Sequence, residues 1–306
     1  MTLHISPVNP GFVAAVSGID LRRPVEQDDF RAVQAALDSY AVLIFRDQPL
    51  DDSQQIEFSG LFGPVETSIG AIRANRKTRL RSEVADVSNL DIHNNIRPAG
   101  DQWRLMQLAN QLWHTDSSFK PIPGKISFLS AREVTPTGGE TEFADLRAAH
   151  DSLDTATAEL IKDLFAEHSI FFSRSLVGYA DFSPEERAAL PPVARPLVRT
   201  LVGSGRKSLY LASHASHIVG WPIQRGRELL DQLTAAATEP RFVFSHRWSP
   251  GDLVVWDNRC TMHRGRPFDA GQRRDLRRIT VSDTDPRSNP ASVGNRATDT
   301  KTTGDQ

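Results

Sequence analysis

Trp113-His114-Thr115-Asp116, completed far downstream by Trp256-Asp257-Asn258-Arg259-Cys260-Thr261-Met262-His263, is the pair of stretches on which the reading of this chain turns. Two histidines and one carboxylate can occupy one face of a metal ion and leave its other positions open, the donor set of non-haem Fe(II) oxygenases. If the first stretch is a strand, positions 114 and 116 stand at i and i+2, so both side chains leave the sheet on one face and a single ion can take both. His263 lies 147 positions beyond Asp116, so the third donor has to be returned by a strand that is not a neighbour in sequence. A closed barrel or sandwich does this.

Working outward, residues 125–134 read as a strand that ends at the turn Pro136-Thr137-Gly138-Gly139. Helical spacing over 29–40 feeds an apolar strand at 41–45, and a second helix is expected from Asp51, whose carboxylate can cap it, to Gly63-Pro64. Residues 146–153 and 156–166 read as helices, as do 227–237, where Leu229, Leu230 and Leu233 form one apolar side. Residues 197–202 and 208–211 flank Gly203-Ser204-Gly205-Arg206-Lys207 as a hairpin; that run joins two strands and opens no helix, so it is not a phosphate loop. Closing strands are expected at 241–248, 252–256 and 277–282. Residues 72–81 carry five positive charges without a clear period, as either a solvated mobile loop or a lid that attracts an anionic substrate.

With 306 residues and no dividing linker, one large domain over 1–283 is expected, followed by a polar tail from 284 to 306 too poor in large apolar residues to fold. A formal charge of −2 gives no reason to expect nucleic acid or an acidic surface as partner. The lone Cys260 excludes an internal disulfide and fits a reducing cytosol. No run approaches the roughly 20 apolar residues of a membrane span, and no leader is evident, so a cytoplasmic protein without membrane contact is expected.

Three runs carry a resemblance: Asn110-Gln111-Leu112-Trp113-His114-Thr115-Asp116-Ser117-Ser118-Phe119, Gly138-Gly139-Glu140-Thr141-Glu142-Phe143, and Gly251-Asp252-Leu253-Val254-Val255-Trp256-Asp257-Asn258-Arg259. With His263 and Arg273-Arg274-Asp275-Leu276-Arg277-Arg278 they resemble the taurine and 2,4-dichlorophenoxyacetate dioxygenase family of Fe(II)- and 2-oxoglutarate-dependent enzymes, closest to its 2,4-dichlorophenoxyacetate branch. The likeness runs from about residue 5 to about residue 283. It implies a mixed α/β protein with a double-stranded β-helix, or jelly-roll, core and helices packed outside. It implies that His114, Asp116 and His263 hold Fe(II), that 2-oxoglutarate fills two of the free positions and that O2 takes the third. Arg274, eleven after His263, matches the arginine that grips the distal carboxylate of 2-oxoglutarate, helped by the Thr141 hydroxyl; a planar guanidinium offers that carboxylate a bidentate match. Arg278 matches the position that meets the substrate anion, and Asn110 the polar residue beside substrate and co-substrate.

The remaining residues of these types read as background. His150, His168, His214, His217 and His246 are expected to be ordinary hydrogen-bonding histidines, although His214-Ala215-Ser216-His217 could border the pocket. Arg273 and Arg277 alternate with Arg274 and Arg278 and read as an outward, solvated pair. Trp113 and Trp256 read as barrel packing and Cys260 as a small buried apolar side chain. The resulting expectation is hydroxylation beside the ether oxygen of an aryloxyalkanoate, a small anionic aromatic substrate, giving a phenol and, for an aryloxyacetate, glyoxylate. The same chemistry on a sulfonate such as taurine is the alternative. A non-catalytic metal-binding jelly roll and a Zn hydrolase belong to other classes; neither gives Arg274 a role, and a structural site ordinarily fills four protein ligands. A homo-oligomer is left open.

Overall fold

The computed structural model describes residues 2–72 and 77–287, with the backbone alone at 71 and 72. Seven strands hydrogen-bond in the order His4–Asn9, Val13–Ser17, Val42–Phe45, Leu253–Asp257, Gly124–Glu133, Asp275–Ser282 and Ala85–Ser88. Every pairing is antiparallel except that of Val13–Ser17 with Val42–Phe45, which are joined by the helix Gln27–Tyr40, as a parallel pair requires a crossover. A second sheet has Thr141–Asp145 at its centre between Val243–His246 and Thr261–Gly265.

Alternation along the strands sends side chains to two cores. Leu43, Phe45, Phe128, Leu253, Val255 and Ile279 pack with Val33, Ala36, Leu37, Phe58 and Phe62 from the helices Gln27–Tyr40 and Asp52–Gly60 and the turn beyond. Their neighbours Val42, Ile44, Leu129, Val254 and Trp256 face the other way and share a cluster with Phe143 of the small sheet. The outward face of the small sheet, at Ala144 and Met262, lies under the helix Ile223–Ala237 and the sheet of Ala215–Ile218, Phe165–His168 and Val193–Pro196. Burial on both faces explains why the strand is apolar from Leu253 to Trp256.

Most expected elements are present within one or two residues. Asp51 caps its helix as expected, accepting from the Gln54 N–H while the Gln54 side chain accepts from the Asp51 N–H. Others are corrected. The stretch at 156–166 is a helix only over Thr155–Ile161; Phe165–His168 is a strand, because pairing with Val193–Pro196 and Ala215–Ile218 outweighs local helical spacing. The strand expected from 241 opens with a 3-10 turn, Pro240–Phe242. His114 forms an isolated bridge rather than part of a strand, and Asp116 begins a turn. Arg277 is not a solvated side chain: it reaches Asp52 at 2.8 Å and Asp275 at 3.0 Å. Arg273 is paired with Glu133 on the exposed side.

The basic segment divides in two. Residues 73–76, and the tail from 288 to 306, lie outside the described residues. Arg79 belongs to neither a lid nor a solvated loop: its side chain is 4% exposed and binds Asp86 and Asp275, both at 2.8 Å. Lys77, by contrast, is exposed and lines a cavity.

Removing one partner of a buried ion pair leaves an uncompensated charge and typically costs about 3 to 5 kcal/mol. Arg79→Met is therefore expected to lower unfolding free energy by about that amount in a denaturant titration. Lys77→Ala should stay within about 0.5 kcal/mol, as an exposed substitution does. Equal effects of the two would contradict the division of the segment.

Candidate metal centre

A backbone exchange assembles the centre. The His114 N–H donates to the His263 carbonyl at 3.0 Å and the His263 N–H returns a bond to the His114 carbonyl at 2.8 Å. The imidazoles are thereby brought to 4.2 Å between ring centroids. His263 sits opposite Phe143 in the small sheet, and Phe143 faces the space between the sheets, so His263 points inward. Thr115 is fully buried and its hydroxyl lies within bonding distance of the Leu211 and Thr261 carbonyls, which anchors the loop between the first two donors.

The chain then leaves the bridge in a tight turn with Ser117 at φ 55°. Gly124 opens the next strand because a Cβ there would meet the Asp116 carbonyl oxygen at 2.9 Å. That approach puts Asp116 over the large sheet, where the Ser127 hydroxyl donates to its carboxylate at 2.7 Å. Ser127 in turn accepts from the Asn258 amide at 2.9 Å. The Asn258 carbonyl oxygen accepts from the Asp116 N–H at 3.2 Å and from the Trp256 indole at 3.0 Å.

Nε2 of His114 and of His263 stand 3.9 and 3.7 Å from the Asp116 carboxylate oxygens, and one donor atom from each of the three residues lies within 4.8 Å of the others. The His114 Nδ1 is 2.7 Å from the Leu112 carbonyl, which fixes its proton there and leaves Nε2 as the lone pair facing the centre. Burial lowers His114 to about 4, and burial together with His114 pushes His263 well below the usual histidine range. Burial opposes the charge on Asp116, but the Arg278 guanidinium, with the Ser127 hydrogen bond, outweighs it and holds the carboxyl below the usual carboxylate range. Two neutral imidazoles and one carboxylate, all buried, fit a divalent cation, because metal binding requires deprotonated ligands.

Two cavities meet at this centre. A smaller one, about 200 Å³, is lined by Thr141, Trp256, His263, Phe268 and Arg274. A larger one, about 490 Å³, is lined by Met106, Phe119, Arg174 and His214 among others. His114, Asn110 and Arg278 line both. All the expected site residues thus come together. Arg278 also makes a contact that the spacing of the arginines gave no hint of: its guanidinium is ion-paired with the Asp116 carboxylate. Asn110 donates to Gln107 at 2.5 Å.

Arg274 is 7% exposed, donates to the Gly139 carbonyl at 3.0 Å, and lies 5.1 Å from the Phe268 ring centroid. Gly139, at φ +74°, admits it closely: a Cβ there would stand 3.1 Å from the guanidinium Nε. No carboxylate among the described residues pairs with this cation, and burial lowers it to about 10. The Thr141 hydroxyl oxygen accepts from the Trp248 indole at 3.0 Å, so its proton remains available to an acceptor in the same cavity. Trp248 was not legible as a site residue, since nothing in its own neighbourhood marks it. His214 borders the larger cavity, with its Nδ1 2.8 Å from the Ser173 hydroxyl and its ring 4.6 Å from Phe119; burial, then Arg174, keep it well below the usual range.

The chain matches the model of the family described as taurine catabolism dioxygenase TauD, TfdA family, over residues 4–280. It is 45% identical to the alpha-ketoglutarate-dependent 2,4-dichlorophenoxyacetate dioxygenase of Cupriavidus pinatubonensis, over 92% of this chain and 99% of that protein. It is 35% identical to the (S)-phenoxypropionate/alpha-ketoglutarate-dioxygenase of Sphingobium herbicidovorans, over 88% and 91%. Its fold superposes with a TM-score of 0.90 on the crystal structure of AAD-2 in complex with Mn(II) and N-oxalylglycine, at 47% identity over 94% of this chain and 100% of that one.

Groups that orient metal ligands typically contribute 10- to 100-fold to metal affinity. Ser127→Ala should therefore weaken Fe(II) or Mn(II) binding by about that factor in a competition titration, whereas His263→Ala should remove it. Unchanged affinity in Ser127→Ala would mean that the hydroxyl does not steady Asp116.

Proposed function

The chain belongs to the TauD/TfdA family of Fe(II)- and 2-oxoglutarate-dependent dioxygenases, and from that premise we propose that it oxidises an aryloxyalkanoate at the carbon between ether oxygen and carboxylate. Oxygenation there gives a hemiacetal that collapses to a phenol and, from an aryloxyacetate, glyoxylate. The observation that carries the reading is the pairing of two cavities across one buried triad. The small one holds a guanidinium that forms no ion pair among the described residues, and the large one has Met106 and Phe119 on its wall beside guanidinium groups. We further read the two facing sheets as a jelly-roll core and residues 1–283 as one domain.

When bound, Fe(II) and 2-oxoglutarate supply oxidative decarboxylation with O2, yielding succinate, CO2 and oxygen insertion into a C–H bond. Everything else falls to the chain. His114, Asp116 and His263 hold the metal by three donors on one side. Arg274 and the Thr141 hydroxyl take the distal carboxylate of 2-oxoglutarate, which explains a buried guanidinium bonded, among the described residues, to the Gly139 and Val87 carbonyls. Asn110 and Arg278, on the boundary of both cavities, orient substrate against co-substrate. Apolar side chains receive the ring and keep water from the reacting carbon. The relatives named for 2,4-dichlorophenoxyacetate and phenoxypropionate support a carboxylate over a sulfonate.

The test is succinate and phenol release from a panel of aryloxyacetates, 2-aryloxypropionates and taurine, with Fe(II) and 2-oxoglutarate present or withheld. Turnover of taurine alone would overturn the substrate class. Losing one partner of a buried charged hydrogen bond costs about 2 to 5 kcal/mol, or roughly 30- to several-thousand-fold in affinity. Arg274→Ala should raise the KM for 2-oxoglutarate within that range while Fe(II) still binds. In Arg278→Gln, 2-oxoglutarate consumption should outrun phenol release, because the substrate carbon is held loosely; full coupling there would free Arg278 from this role.

A further inference from the structure

The helix Ile170–Ser175 brings Arg174 to the wall of the larger cavity, beside His114, Asp116, His214 and Arg278. The residue is 9% exposed, its Nε is buried without an acceptor, and among the described residues its guanidinium forms no ion pair. Burial, reinforced by Arg278, lowers it only to about 10, so it is charged at neutral pH. The carboxylates near the cavity are already engaged. Asp116 is a metal donor paired with Arg278. Glu66 accepts from the Ser117 hydroxyl at 2.7 Å and the Lys120 ammonium at 2.6 Å. His214 lines the same wall, with its Nδ1 2.8 Å from the Ser173 hydroxyl.

A buried cation without a partner is costly, and a protein retains one where a ligand supplies the opposite charge. From this geometry we propose that Arg174 binds the anionic head of the substrate together with Arg278, holding a carboxylate between two guanidinium groups. The inference rests on the reading that the larger cavity takes an anionic substrate. Its consequence is specificity: Arg278 divides its donors between Asp116 and substrate, whereas those of Arg174 have no competing acceptor among the described residues. The stronger demand for negative charge therefore comes from Arg174, a residue outside every motif quoted above.

The test uses the protein loaded with Fe(II) and N-oxalylglycine under anaerobic conditions. Phenoxyacetate, its methyl ester and hexanesulfonate are titrated by calorimetry into the wild type, Arg174→Gln and Arg174→Lys, and thermal unfolding of each is recorded to confirm folding. Arg174→Gln should weaken phenoxyacetate binding by about 30-fold or more, as loss of a buried charged contact does, and leave the ester within about threefold. Arg174→Lys, which keeps the charge but loses the planar fork, should fall between the two. Equal losses for acid and ester, or no loss for either, would assign Arg174 to packing and overturn the proposal. So would a wild type that binds neither anion. If hexanesulfonate binds the wild type, phenoxyacetate does not, and Arg174→Gln loses the sulfonate, the aryloxyalkanoate reading fails while Arg174 stands as the anion-binding residue.

Discussion

The reciprocal hydrogen bonds between the main chains of His114 and His263 are the constraint on which the centre depends. They tie an irregular loop to the strand Thr261–Gly265, so that two side chains 149 positions apart in sequence become neighbours without a continuous ladder. The loop is free to turn at once after the bridge, and that turn lets Asp116 swing onto the large sheet while both histidines stay with the small one. Donors from the two sides of a sandwich therefore meet between its sheets, where water is scarce and both imidazoles stay neutral.

Placing a carboxylate in that space is unfavourable unless its charge is answered. Asp116 is answered twice, by the Ser127 hydroxyl and by Arg278, and each comes from an element whose position the sheet register sets. Thr280 lies opposite Ser127, and Arg278 lies opposite Leu129, on the strand beside it. The Asn258 side chain closes the circuit by bonding Ser127, the Asp116 N–H and the Trp256 indole. The Trp-Asp-Asn-Arg run is thus structural support for a metal ligand 142 positions from Asn258 in sequence, with Asp257 and Arg259 paired to each other at 2.7 Å.

The metal triad was legible because its chemistry is tied to residue type and because the family resemblance joins the His-Thr-Asp run to the distant His263. Arg274 and Arg278 were legible through the family resemblance together with period 2. The irregular backbone at His114 was not, since an i, i+2 spacing looks alike in a strand and in a bridge followed by a turn. The strand Phe165–His168 was hidden because its partners, Val193–Pro196 and Ala215–Ile218, lie far along the chain, so local periodicity could only report a helix. Ser127 and Trp248 act through single hydrogen bonds across sheets, and no local pattern records those.

Arginines show most sharply where sequence reading ends. Arg79, Arg147 and Arg259 are as deeply buried as Arg174 and Arg274, and all five would look alike as isolated letters. What separates them is the counter-charge. Arg79 has Asp86 and Asp275, Arg147 has Asp145 at 2.9 Å, and Arg259 has Asp257; these cations are satisfied within the fold and hold it together. Arg147 also donates to the Gly11 and Ser39 carbonyls, pinning the small sheet to the first strands. Arg274 and Arg174 have no such partner among the described residues, and each opens on a different one of the two cavities. Burial alone therefore does not separate these arginines; the carboxylate partner does, and among the described residues it is missing on both sides of the triad.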